Sequence, residues 1–234
     1  MARDSSNAEI AAAISPVGRE TLNDRVYREL KNSIMSGAFK PGSELKLRSV
    51  AEALGTSLMP VRDAMRRLVA ERALEMRPSR TIAIPVLSAD QFLEIRSIRL
   101  LLEGEAVARA ADKISRRQVL GVRTILKRLL SLEKDQHGQF WAVNHRFHFA
   151  IYEAADSALL MSIIESLWLQ VGPLLTRIPV ARAVTGSADP HQLLVQALED
   201  HDPHAARAAL EADLTSSTEQ MMIELARQNA IRLA

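Results

Sequence analysis

Apolar residues recur three and four positions apart over most of this chain, and only a short stretch near residue 80 alternates instead. Between Leu22 and Ser36, Val26, Leu30, Ile34 and Met35 mark the inner face of an amphipathic helix; Gly37 stops it and Pro41-Gly42 marks a turn. The segment LRSVAEALGTSLMPVRDAMRRLVAE carries a short helix with Leu47, Val50, Ala51 and Leu54 inward. A turn follows at Gly55-Thr56-Ser57, where Gly55 supplies positive φ and Ser57 is placed to cap the next helix. That helix runs from about Leu58 to Glu71 with Val61, Ala64, Met65 and Leu68 packed, while Arg62, Arg66 and Arg67 take other faces with Asp63 among them. LEMRPSRTIAIP then predicts two short strands around a Pro78-Ser79-Arg80 turn, with Arg77 and Arg80 near the tip. Helix, helix-turn-helix and basic hairpin, from Thr21 to Pro85, predict a winged helix-turn-helix. Such a domain lays its second helix in the major groove of double-stranded DNA and its wing over phosphates or the minor groove. The competing reading is a helix hairpin with solvated arginines.

From Ser88 onward the periodicity is helical throughout. Ser88 to Gln91 and Ser115 to Gln118 have capping-box spacing and start two helices, one to about Asp112 and one to about Lys134. His137-Gly138 reads as a break before a helix from about Phe140 to Ala155; Ser157 caps another to about Thr176. Pro179 to Pro190 is loop-like, a helix covers His191 to Glu199, and Asp202-Pro203 opens the last long helix as N-cap and N1 proline. About six antiparallel helices on short loops form a bundle.

Composition changes the picture little. At 234 residues and 47% hydrophobic content, one large domain or two ordinary ones can be built. No apolar run is read as approaching the ~18 residues of a membrane span, and MARDSSNAEIAAAISPVG has early acids where a secretory signal is basic and then apolar. The chain has no cysteine, which excludes disulfides and thiolate metal sites, and the cytoplasm is the expected location. Charge is uneven: residues 1–80 hold 14 Lys+Arg against 10 Asp+Glu, and the rest hold 16 against 18. The front part is the polyanion binder on this count.

The candidate chemistry lies in the bundle. Asn144 and His148, at i and i+4, share one helix face; His191 begins another helix and Asp213 lies about three turns into the last. Turned inward together they offer an amide oxygen, two imidazoles and a carboxylate, a set suited to a divalent Zn²⁺, Ni²⁺ or Mn²⁺ with positions open for ligand. The same spacing describes a hydrogen-bonded polar pair in a core. His145, His201 and His204 have polar neighbours and are read as solvated, and Trp141 and Trp168 as core or dimer packing.

The string VYRELKNSIMSGAFKPGSELKLRSVAEALGTSLMPVRDAMRRLVAE resembles the DNA-binding domain of GntR-type bacterial transcription regulators. The likeness runs through Ile34, Gly37, Pro41-Gly42, Leu45, Arg48, Ala51, Leu54-Gly55, Ser57, Pro60-Val61-Arg62, Ala64 and Leu68. It implies that Arg48 and Arg62 contact operator DNA and that Arg80 lies at the minor groove; Lys46 and Arg66 are further candidates. The chain departs from that pattern at Leu58, where the family usually has arginine, and at Leu47, where an acid is common. Losing the arginine removes one expected phosphate or base contact, so relatives do not supply the operator sequence. Arg72 and Thr81 stand where glycine is favoured; a left-handed non-glycine at the helix C-terminus costs about 1 kcal/mol, and the wing is expected to be shaped differently from the family's.

Residues from about Asp90 to Ser217 resemble the FCD ligand-binding domain of the FadR branch of that family. The matching positions are Arg99 with Glu103, Asn144-x-x-Phe147-His148, Asp156 with Leu159, His191, Ala197-Leu198, Asp202, Ala206 and Leu210-x-x-Asp213. The resemblance implies a metal held by an aspartate and three histidines; here Asn144 stands for the aspartate and Asp213 for the last histidine. Ligand charge is conserved by the two exchanges, which leaves a compensated metal site and a metal-free polar pocket as alternatives. It also implies a small organic acid beside the metal, with Arg99 projecting into the cavity, against a salt bridge from Arg99 to Glu103. Arg177 is a second candidate for the acid.

The expectation is a mainly α protein: a flexible tail over 1–18, a winged helix-turn-helix over 19–86 and an antiparallel all-helical bundle over 87–234 for effector binding and dimerisation. It would act as a ligand-responsive repressor, a homodimer on a pseudo-palindromic operator, and not as an enzyme. The rivals are a metal-dependent helical-bundle enzyme, against which paired Glu-x-x-His motifs are missing, and a helical interaction protein whose basic hairpin is incidental.

Overall fold

The structure is a computed structural model that describes residues 21–78, 80–132, 136–178 and 189–233, the side chains of 228–233 and of His137 excepted. The predicted tail over 1–18, the middle of the wing turn and most of the 179–190 loop lie outside the described residues.

The winged domain forms from α1 (Leu22–Met35), α2 (Leu47–Ala53), α3 (Leu58–Ala70) and the hairpin β1 (Glu75–Met76) and β2 (Ile82–Ala83). A capping box between Thr21 and Asp24 starts α1. Val26, Leu30, Ile34 and Met35 are buried on α1, as the periodicity predicts, and meet the buried Val61, Ala64, Met65 and Leu68 of α3. In the hairpin, antiparallel, Glu75 lies opposite Ala83 and Met76 opposite Ile82, and Glu44 adds an antiparallel bridge to Ala83 on the other side. Gly55 has φ 60°, which lets the chain turn sharply into α3; Ser57 occupies the N-cap, although its side chain makes no capping bond. Arg72 is left-handed at the end of α3, as expected, with φ 60°, but in the wing the left-handed residue is Arg80 and not Thr81. The tight turn from Arg77 to Arg80, closed by an N–H to carbonyl bond of 2.9 Å, puts the strain one residue earlier.

The bundle comprises α4 (Ala89–Lys113), α5 (Arg116–Leu130), α6 (His137–Glu153), α7 (Ala158–Leu175), α8 (Pro190–Glu199) and α9 (Pro203–Leu233). Both capping boxes form, at Ser88 with Gln91 and at Ser115 with Gln118. Two boundaries differ from the prediction. The second bundle helix ends at Leu130, and His137-Gly138 starts α6 where a break was expected, because a glycine costs little in a first turn whose N–H groups are unpaired anyway. Helix α4 is the central rod, packed along α9 and against α6, α7 and α8, while α5 covers α6 and α8.

Contrary to the expectation of no membrane-length apolar run, the 18 residues of helix α7 reach a mean hydropathy of 1.6, enough by length and composition to cross a membrane. It is instead a core helix, with Ile164, Leu167, Trp168, Leu169, Val171 and Leu174 buried between α4 and the winged domain. The backbones of α7 and α1 touch. A Cβ at Gly172 would stand 2.4 Å from the Met35 carbonyl oxygen, and one at Gly37 would stand 2.1 Å from Thr176 Cγ2. Lys31 Nζ donates to Glu165 Oε2 at 2.6 Å beside this junction.

Candidate functional site

The first of two sites is the outer side of α3 and the wing. Lys46, Arg62, Arg66 and Arg80, four of the five predicted DNA contacts, line one open concavity of about 480 Å³ whose floor is Leu45, Leu47, Met65 and Ile82. The buried face of α3 is anchored on α1, so its arginines at 62 and 66 necessarily point the other way. Arg48 is exposed on the first turn of α2, outside the concavity. Neighbouring arginines are separated by their partners. Arg67 lies 3.6 Å over the Tyr27 ring and donates to Glu71, and Arg77 is held by Glu75 at 3.0 Å, so both brace the domain. Lys46, Arg62, Arg66 and Arg80 have the free reach that a phosphate or a base edge needs.

The second site is inside the bundle. Asn144 and His148 lie one turn apart on α6, His191 is the second residue of α8, and Asp213 projects from α9, so three separate stretches of chain converge. His191 Nε2 lies 3.0 Å from Asn144 Oδ1 and 3.5 Å from Asp213 Oδ1, and His148 Nε2 lies 3.5 Å from Asp213 Oδ2. The spacing fits a metal: an ion with bonds of about 2.1 Å holds neighbouring donors about 3.0–3.4 Å apart in octahedral or tetrahedral geometry. His148, His191 and Asp213 all place a ligand atom within 4.8 Å of one another. An outer shell is present too. Asp189, the N-cap of α8, accepts from the His191 backbone N–H at 3.0 Å and lies 2.8 Å from His191 Nδ1, which fixes the ring with Nε2 toward the cluster. Asp189 was not foreseen, although Asp-Pro at a helix start is the signal that placed Asp202-Pro203 correctly.

Charges in the cluster oppose one another. Burial and the neighbouring His191 and Arg99 push the His148 imidazole well below its ordinary value, so it is neutral. Burial works in the same direction on His191, but Asp213 and Asp189 outweigh it and raise that group. Burial raises the Asp213 carboxyl against the pull of His191 and Arg99.

Arg99 forms the salt bridge: Nε meets Glu103 Oε1 at 2.6 Å and Nη2 meets Oε2 at 3.2 Å, with the guanidinium 4.8 Å above the Trp168 ring. Glu103 has no exposure at all and accepts also from Tyr152 Oη at 2.6 Å and Trp168 Nε1 at 3.0 Å. Four donors saturate a buried carboxylate, and the Nη1 side of Arg99 lies outside that pairing. Trp168 is core packing as expected, but it also serves this network, whose members Tyr152 and Trp168 lie on helices remote in sequence. Arg177 is set apart. It follows the end of α7, nine residues past Trp168 or about 14 Å along the axis, next to Thr176 at the winged domain. His145 is not solvated: its ring packs 4.2 Å from Phe149 and 5.5 Å from Trp168, its buried Nε2 has no hydrogen bond, and burial lowers it to about 4.

Residues 22–84 match the sequence family described as bacterial regulatory proteins, gntR family, and residues 94–216 match the FCD domain. The HTH-type transcriptional regulator McbR of Escherichia coli K12 is 36% identical over 154 residues, covering 65% of this chain and 70% of McbR. The HTH-type transcriptional repressor GlaR of the same organism is 28% identical over 204 residues, covering 83% and 88%. The solved structure of E. coli McbR/YncC superposes with a TM-score of 0.76 at 31% identity, over 90% of this chain and all of that one.

Proposed function

Because the chain belongs to the GntR family of bacterial transcriptional regulators and carries the FCD effector-binding domain, we propose that it binds a pseudo-palindromic operator as a homodimer and releases it according to a small carboxylate held in the bundle. It is a regulator and not an enzyme. Lys46, Arg48, Arg62, Arg66 and Arg80 make the DNA contacts in this reading, from a domain spanning 19–86 joined to an effector and dimerisation domain spanning 87–234. The observation that carries it is the gathering of four cations, none of them in a salt bridge among the described residues, around one concavity between α3 and the wing. Two such surfaces, one per subunit, match the two half-sites of a symmetric operator. A repressor bound to operator DNA works in the cytoplasm.

In the bundle, Asn144, His148, His191 and Asp213 hold a divalent ion, with Zn²⁺, Ni²⁺ and Mn²⁺ the candidates, and Asp189 orients His191 from behind. When bound, the ion offers an open coordination position to the effector's carboxylate. Arg99 adds positive charge beside it, with its Nη1 side outside the Glu103 pairing.

The test is a mobility shift of the full chain on its own upstream DNA at low salt. Specific retardation is expected, and Arg62→Ala should weaken it about 5- to 150-fold, the worth of one bidentate base contact, without loosening the dimer. Equal binding by Arg62→Ala would mean that α3 does not read the groove. Thermal-shift screening against small carboxylates, with and without each ion, tests the effector half.

A further inference from the structure

The start of α3 presents two side chains that make no sense for a phosphate. Leu58 and Met59 are the first two helical residues and are 39% and 57% exposed, while the next two, Pro60 and Val61, are buried. Met59 Sδ lies 3.9 Å from Arg62 Nη1, one turn further on, so the apolar pair and that arginine form a continuous strip. Beside the strip lies the concavity lined by Lys46, Arg62, Arg66 and Arg80. A scattered exposed leucine needs no explanation. Two adjacent ones at the end of a helix that enters a groove first, ringed by cations suited to a polyanion, are a different case.

Leu58 and Met59 carry no group that hydrogen-bonds a base edge. The major groove has one apolar feature, the C5-methyl of thymine, which no other unmodified base pair presents. We propose that Leu58 and Met59 read thymine methyl groups, so that each operator half-site carries thymine at the base pairs next to the one that Arg62 reaches. The inference rests on the operator-binding reading above. It adds a determinant of sequence preference that is insensitive to salt, because burying a methyl releases no counterion.

The experiment uses the full chain to select sites from a randomised duplex library, then replaces each selected thymine by uracil, which removes the methyl and leaves pairing unchanged. Affinity is read by fluorescence anisotropy at fixed salt. Uracil at the positions read by Leu58 and Met59 should weaken binding about three- to fivefold per methyl, the worth of one buried CH₂-sized group, and on the order of tenfold when both half-sites are changed. Leu58→Ala and Met59→Ala, both exposed and harmless to the core, should each lose the preference for thymine at one position. Leu58→Arg should lose it as well and steepen the salt dependence by about one phosphate contact. A selected site that tolerates uracil at every position, or a Leu58→Ala, Met59→Ala double variant that keeps the full preference, would overturn the inference while leaving operator binding intact. Enrichment of no sequence at all would overturn operator binding itself, and this inference with it.

Discussion

Replacing Gly172 by alanine tests the junction between the two domains with a single methyl. The new Cβ would lie 2.4 Å from the Met35 carbonyl oxygen and 2.9 Å from the Met35 Cα, both backbone atoms, so no side chain can swing aside. Restoring ordinary contact requires α1 and α7 to part by roughly 1 Å. Overpacking of this kind costs about 1–3 kcal/mol, and alanine's better helix propensity returns about 1 kcal/mol, leaving a net loss of about 1 kcal/mol. Gly121, in the exposed middle of α5, is the internal control because nothing lies within 4 Å of its added Cβ. Gly121→Ala should therefore gain about 1 kcal/mol from propensity alone. The same chemical change thus has opposite signs at the two sites. For a protein of this size the difference of about 2 kcal/mol is a separation of about 4–8 °C in Tm. Differential scanning calorimetry measures it directly. Equal increases in Tm for both variants would refute the docking of α1 on α7 in solution.

Two further outcomes follow from the bundle site. His148→Ala should leave the protein with no bound metal in elemental analysis after exposure to Zn²⁺, Ni²⁺ or Mn²⁺, while the unaltered chain retains it; an unaltered chain that stays metal-free under the same treatment removes the metal from the reading. His145 contributes to acid sensitivity, beside the more deeply buried His148. Its folded value of about 4 lies below the ordinary 6.5, so the unfolded chain takes up a proton between those limits and the folded chain does not. Stability from this group is complete above about pH 6.5 and falls as the pH drops toward 4, by about 1 kcal/mol at pH 5.5. His145→Phe, which keeps a ring against Phe149 and Trp168, should make that part of the stability–pH curve less steep in urea titrations, with His148 supplying the remainder; an unchanged curve would place the acid sensitivity elsewhere.

Periodicity made the helices legible because burial itself has the period of the helix: each predicted inner residue of α1 and α3 is buried. Capping boxes at Ser88 and Ser115 were equally readable, since they are local hydrogen-bond chemistry. His148 with His191 and Asp213 could be gathered on paper, but their spacing of 3.5 Å depends on how α6, α8 and α9 cross. Arg99 could be paired with Glu103 from its i, i+4 spacing, but the other two partners could not, as Tyr152 and Trp168 lie 49 and 65 residues away. His145 was misread through its neighbours. Asn144 faces the cluster and Arg146 faces solvent, whereas His145 lies against α7, because consecutive helical residues point about 100° apart.

Helix α7 gives the two sites a common part. Trp168 donates to Glu103 at one end of a single helical turn, and Gly172 rests on the backbone of α1 at the other. A turn is about 5.4 Å long, so the Glu103 network lies a single turn from the contact with the winged domain. Pro173, inside α7, cannot donate to the carbonyl four residues before it, and this weakens the helix at the residue after the junction glycine. A ligand changes operator affinity only if it favours one of two arrangements of the domains over the other. Glu103 ties Arg99, Tyr152 and Trp168 together with no spare acceptor for a fourth side chain, so a ligand that drew on Arg99 would disturb a group bonded to α7. A displacement of Trp168 would be carried through this single turn to Met35, on the helix against which the buried face of α3 is packed.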